Sequence, residues 1–170
     1  MCTCSAGPAA EVGEEAVVRT TGTGPPEAVH VGADELPFVE IGGGSKLKVV
    51  HVDTGQGLWI VENILQAGYV VPTHRHTGPV FAYTSRGAWR YREYEYVNRA
   101  GSYLFEPAGS LHTLECIEDD THVWFQVHGA NLNVDADGNV ESIFDGPGVL
   151  ETYLTLAEAE GHPRPDVLVV

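Results

Sequence analysis

Gly68-Tyr-Val-Val-Pro72-Thr-His74-Arg-His76 opens the stretch that decides how this chain is read. Gly87 follows, and then Gly101-Ser-Tyr-Leu-Phe-Glu106-Pro107-Ala-Gly109-Ser-Leu-His112. The flanking runs are rich in Val, Tyr and Phe and are punctuated by Gly and Pro, the signature of short strands joined by turns. On a strand, side chains alternate between faces, so His74 and His76 point the same way and can grip one ion together. His112, from a second strand, would complete a facial set. Three neutral nitrogens leave coordination positions free for water, substrate or oxygen. A single histidine in such a run reads as an ordinary core or surface residue; the trio, each beside Gly and Pro at strand edges, reads as a metal site.

Bulk properties set the frame. A chain of 170 residues fits one domain with a real core. Apolar residues make up 43% and glycines number 20, which suits a turn-rich β fold. The formal net charge of −15 argues against nucleic acid or an anionic membrane as partner. There is no apolar run of spanning length and no signal-peptide pattern at the N-terminus, and the three cysteines are poorly spaced for disulfides. The expectation is a cytoplasmic protein.

Outward from the histidines, residues 1–28 are poor in bulky apolar groups and read as a flexible tail, with Cys2 and Cys4 incidental. Strands are expected over 36–41, 47–52 and 58–66, with Glu62 facing solvent. Pro72 suggests that the strand bearing His74 lies at an edge or an end. In 88–97, alternation puts Trp89, Tyr91, Glu93 and Glu95 on one face. If that face looks inward, it offers two rings and a carboxylate to the metal. Glu106, before the Pro107-Ala-Gly109 bend, could orient a ligating imidazole. In 122–128, either Trp124, Gln126 and His128 or Val123, Phe125 and Val127 line the cavity. Leu150, Tyr153, Leu154 and Ala157 recur at helical spacing, so an amphipathic helix is expected over 149–160. Residues 166–170 could form a strand exchanged with a partner chain. The organisation expected is a tail over 1–28, a barrel over 29–148, and a helix and tail over 149–170. The fold class is all-β, a barrel or double-sheet jelly roll with a C-terminal α-helix.

These residues resemble the cupin superfamily. Gly68, His74, His76 and Gly87 fit its first motif, and Gly101, Pro107, Gly109 and His112 fit its second. Two positions depart from the pattern. The usual glutamate of the first motif falls at Val80 or Phe81, and the final asparagine of the second falls at Cys116. A narrower resemblance, to the 2,4'-dihydroxyacetophenone dioxygenase family, is carried by Pro72-Thr-His-Arg-His-Thr-Gly78, Gly87-Ala-Trp-Arg-Tyr91, Ala100-Gly-Ser-Tyr103 and Glu106-Pro-Ala-Gly-Ser-Leu-His-Thr113. It implies a double-stranded β-helix and non-haem iron(II) on His74, His76 and His112, with a carboxylate as fourth ligand. Glu93 is the first choice for that ligand, ahead of Glu95 and Glu106. It also implies O2-dependent cleavage of a carbon–carbon bond in an aryl 2-hydroxyketone, giving a carboxylic acid and formate. A dimer or tetramer is expected on the same ground. Two alternatives stand beside this reading. One is a redox-neutral isomerase or lyase using Zn, Mn or Ni; the other is a cupin that only binds a ligand or senses metal.

Overall fold

The computed structural model describes residues 28–170. The expected tail, with Cys2 and Cys4, lies outside them except for residue 28. The chain builds β1 (Val39–Gly42), β2 (Ser45–Asp53), β3 (Leu58–Leu65), β4 (Val70–His76), β5 (Val80–Arg86), β6 (Ala88–Tyr91) and β7 (Asn98–Arg99). It continues with β8 (Tyr103–Glu106), β9 (Leu111–Cys116), β10 (Thr121–His128), β11 (Asn131–Val134) and β12 (Val140–Phe144). A helix, α1 (Gly146–Ala159), and a last short strand, β13 (Leu168–Val169), follow.

Two sheets face each other. One runs β1-β2-β3-β10-β5-β8, with β13 beside β2; the other runs β12-β11-β4-β9-β6-β7. From β3 onward the chain passes repeatedly from one sheet to the other, so β4 and β5, neighbours in sequence, lie on opposite walls. This is the expected all-β jelly roll.

Alternation decides which face each strand buries. On β10, Val123 and Val127 are buried and Phe125 packs against both core clusters, while Trp124 is exposed on the outside. One cluster gathers Val49, Val52, Trp59, Val61 and Val127 under α1. The other gathers Leu65, Trp89, Tyr91, Leu114 and Val123. Side chains of this size, fully buried, each contribute on the order of 1.5–3 kcal/mol. At Gly87 the backbone has φ +72°, and a Cβ would meet the Thr121 Cα at 2.7 Å, so only glycine fits this turn between β5 and β6.

Two expectations change. Pro72 lies within a central strand, because β4 pairs with both β9 and β11. Its missing N–H is tolerated because the β4–β9 register shifts between Val71 and His74. The helix begins at Gly146, three residues earlier than expected: Asp145 caps it by accepting from the Gly148 N–H at 2.9 Å, with Pro147 in its first turn. At the C-terminus, β13 pairs in parallel with β2, Leu168 opposite His51.

One outer face has no protein cover among the described residues. Trp124, Tyr83 and Tyr103 stand in register across β10, β5 and β8, with Gln126, Phe81 and Phe105 in the next row. Tyr83, Tyr103 and Phe105 are each at least half exposed. Glu62 borders this face as expected, paired with Lys48 at 3.2 Å.

Candidate metal centre

β4 presents His74 and His76 on its inner face, with Arg75 between them pointing outward. β9 runs antiparallel beside it, and His112 is the direct cross-strand partner of His74. Every one of the three is buried, and their potential ligand atoms all lie within 4.8 Å of one another. The spacing in sequence thus becomes a triangle in space.

Glu106 completes the group from the opposite wall. Its strand, β8, pairs with β5 in the other sheet, and its side chain is 3% exposed. Oε2 lies 2.8 Å from Nε2 of His76 and 3.2 Å from Nε2 of His112. The two Nε2 atoms are 3.1 Å apart. Two donors about 2.1 Å from one ion and at right angles to each other lie about 3.0 Å apart, so these separations are those of ligands around a shared ion. Oε2 is buried without a well-directed hydrogen bond, an orphaned acceptor that an ion would satisfy. The donor set, three imidazoles and one carboxylate, fits a divalent transition metal.

Outer contacts fix the donors. His74 Nδ1 lies 2.8 Å from the Pro72 carbonyl, which holds the proton on Nδ1 and frees Nε2. Burial pulls the His74 pKa down to about 4, against the pull of that carbonyl, so the ring is neutral at pH 7. The Tyr91 hydroxyl donates to Glu106 Oε1 at 2.6 Å, and its ring stacks on His112 with centroids 3.7 Å apart. Burial and the Glu106 charge push the Tyr91 phenol well above its ordinary pKa, so it remains a donor. Burial works to raise the Glu106 carboxyl. The His112 and His76 rings and the Tyr91 hydroxyl outweigh it and hold the group at about 2.

Glu93 is not in this group. The strand expected to carry it inward ends at Tyr91, and the turn that follows leaves Glu93 and Glu95 exposed. The Glu93 carboxylate accepts from the Thr113 N–H at 2.9 Å and so ties the turn to the strand of His112. Cys116 is buried, and its thiol lies 3.1 Å from the Glu118 carbonyl, away from the histidines.

A cavity of about 430 Å³ lies between the sheets. His74, His76, Glu106 and Tyr91 form part of its wall, and most of the rest is apolar: Trp59, Val61, Val71, Val80, Phe125 and Phe144 among others. Asn131 and Asn133 add polar groups beside the histidines, because β11 pairs with β4 in the register Asn131↔His76 and Asn133↔His74. Their signal in the sequence is the Asn131-Leu-Asn133 alternation, which puts both amides on one face.

Known proteins share this architecture. An RmlC-like cupin protein from Ralstonia eutropha JMP134 superimposes with a TM-score of 0.76 at 27% identity, covering 85% of this chain and 95% of its own. A protein of unknown function with a cupin-like fold from the same organism gives 0.76 at 28%, covering 87% and 95%. An acetylacetone dioxygenase from Acinetobacter johnsonii gives 0.69 at 19%, covering 81% and 97%. No curated protein matches the sequence. Residues 26–131 match the ChrR Cupin-like domain, a span that holds β1 to β10 and the whole donor set. This chain is a cupin and belongs to the ChrR Cupin-like domain family.

Proposed function

We propose that this cupin is an iron(II) dioxygenase cleaving a carbon–carbon bond in a small ketone with a second oxygen nearby, a 2-hydroxyketone of the 2,4'-dihydroxyacetophenone type. The balanced reaction joins one hydroxyketone and one O2 and releases one carboxylic acid and one formic acid. The observation that carries the reading is the buried donor cluster of His74, His76, His112 and Glu106 beside a largely apolar cavity. The fold likeness to an acetylacetone dioxygenase supports it at the level of architecture.

In this reading Nε2 of each histidine and Oε2 of Glu106 hold the ion. Bound iron(II) would supply the redox chemistry that couples O2 reduction to bond cleavage. The Pro72 carbonyl and the Tyr91 hydroxyl keep two of the donors in their binding orientation. Glu106 brings one negative charge to the four donors, which suits the site to a substrate that binds as an anionic chelate. Trp59, Phe125 and Phe144 give the substrate body an apolar wall and exclude water. The small-molecule partners are the ketone and O2.

A second reading rests on the same donor set, which accepts Zn, Mn or Ni as readily as iron: a redox-neutral isomerase or lyase using the ion as a Lewis acid. Oxygen uptake separates the two. Protein loaded anaerobically with iron(II) and mixed with 2,4'-dihydroxyacetophenone is expected to consume O2 and release formate in equal amounts, with no uptake by His112→Ala. Full metal occupancy without uptake on any 2-hydroxyketone or β-diketone would favour the redox-neutral reading.

A further inference from the structure

Among the described residues, Nδ1 of His76 and Oδ1 of Asn131 are buried polar atoms without a hydrogen-bond partner, as are Oε2 of Glu106 in the donor cluster and Oγ of Ser110, whose carbonyl accepts from the His76 backbone N–H. The first two belong to direct cross-strand partners, because β11 sets Asn131 opposite His76. Residues so paired have Cβ atoms about 4.5–5.5 Å apart and side chains on one face. Both line the same cavity.

Their chemistry is complementary. Nε2 of His76 faces Glu106 and His112, so when it binds an ion the ring proton must sit on Nδ1, as a donor. Oδ1 of Asn131 is an acceptor. No direct bond joins them, and each unsatisfied buried group costs about 1–3 kcal/mol. One small group satisfies both at once: a hydroxyl, which accepts from the imidazole N–H and donates to the amide oxygen. An amine fails at the first contact once protonated, and an ether or a bare carbonyl fails at the second.

We infer that His76 and Asn131 form a hydroxyl-binding subsite beside the metal donors, and that Asn131 is thereby a positioning residue for His76. The inference rests on the reading that an ion takes Nε2 of His76. The hydroxyl is that of an ordered water: Nδ1 lies across the ring from Nε2, so a group on it stands on the far side of the imidazole from the ion and is not the hydroxyl of a ketone that chelates that ion. Neighbouring Asn133 is not part of the subsite, since its amide nitrogen already donates to Ser142 Oγ at 2.9 Å.

The test uses zinc-loaded protein, so that no turnover intervenes. Chelator competition gives zinc affinity, and ring-nitrogen NMR gives the exchange rate of the His76 Nδ1 proton. Quenching of tryptophan emission gives the affinities for 2-hydroxyacetophenone and for 2-methoxyacetophenone, which cannot donate. Asn131→Leu is expected to weaken zinc binding about tenfold or more and to speed exchange of the proton, with the ratio of the two ketone affinities the same as in wild type. Asn131→Ser, which keeps a small acceptor, should recover part of the effect, and it serves in place of the leucine variant should that one fold poorly. Unchanged zinc affinity and proton exchange in a folded variant would overturn the inference. Because none of these readouts involves O2, failure of the dioxygenase reading would appear separately, as absent oxygen uptake by iron-loaded wild type.

Discussion

Val80 and Glu106 are direct cross-strand partners, Val80 on β5 and Glu106 on β8. Both are buried and both line the cavity. Val80 is one of the two positions at which the cupin resemblance expects a glutamate. The carboxylate is therefore supplied from the neighbouring strand, across a single rung of the same sheet.

That relationship makes the carboxylate movable. Glu106→Val is expected to lower metal affinity by about a hundredfold, judged by metal content after dialysis against a chelator. The double variant Glu106→Val with Val80→Glu should recover a large part of it, since the volume is conserved and the charge returns to the same wall. Val80→Glu alone buries a second carboxylate beside the first and should destabilise the fold by about 3 kcal/mol or more. Glu93→Gln should keep full metal content; loss of metal in that variant, with retention in Glu106→Val, would reverse the assignment.

Tyr91 is expected to act through Glu106. Tyr91→Phe keeps the ring on His112 and removes the 2.6 Å hydrogen bond to the carboxylate. Oε1 is then buried without a partner, at a cost of about 1–3 kcal/mol. Metal affinity should fall about tenfold and the metal-free melting temperature should drop, both measurable on one preparation. A variant with unchanged affinity would reduce Tyr91 to a packing residue.

Acid should weaken the metal-free protein in two windows. The folded His74 has its pKa lowered from 6.5 to about 4, so between those values the unfolded chain binds a proton that the folded chain refuses. Stability therefore falls as pH drops from about 6.5 to 4. Glu106 is lowered from 4.5 to about 2, so its contribution is present above about 4.5 and is lost from there down to about 2. Denaturant melts at pH 7.5, 6 and 4.5 should show the first window. His74→Asn should flatten it, and an equal slope in both proteins would exclude His74 as its source.

Metal should also hold the walls together. The histidines stand on the six-stranded sheet and Glu106 on the seven-stranded one, so a shared ion ties the two sheets across the cavity. Binding restricted to the folded state adds about 2.7 kcal/mol of stability at a free metal concentration one hundred times Kd. Chelation should lower the melting temperature of wild type markedly and of Glu106→Val hardly at all, as scanning calorimetry would show.

The sequence made the histidine trio legible because period-two alternation and Gly–Pro punctuation are local properties. The jelly roll was legible for the same reason, from many short strands and one terminal helix. The carboxylate was not. Choosing Glu93 required the strand after Gly87 to continue, and it stops at Tyr91, where the turn toward β7 begins. Glu106 was legible as a partner for a ligating imidazole, but ranking it above Glu93 as the carboxylate required knowing that β8 pairs with β5 rather than with β9, a fact of sheet order that no single strand records. Pro72 misled for a similar reason: a register shift in the β4–β9 ladder absorbs a residue that would otherwise mark an edge.

The aromatic face of β10, β5 and β8, uncovered among the described residues, has a consequence for how the protein behaves in bulk. At −15 the chain repels its own copies, and that repulsion weakens as the Debye length shortens from about 30 Å at 0.01 M salt to about 8 Å at 0.15 M. The rows Trp124–Tyr83–Tyr103 and Gln126–Phe81–Phe105 carry no charge, so two copies can meet there without adding to it. Association through this face should therefore strengthen with added salt, opposite to a complex held by ion pairs. Light scattering across a salt series would then register a colloidal titration, with ionic strength setting the ratio of dimer to monomer.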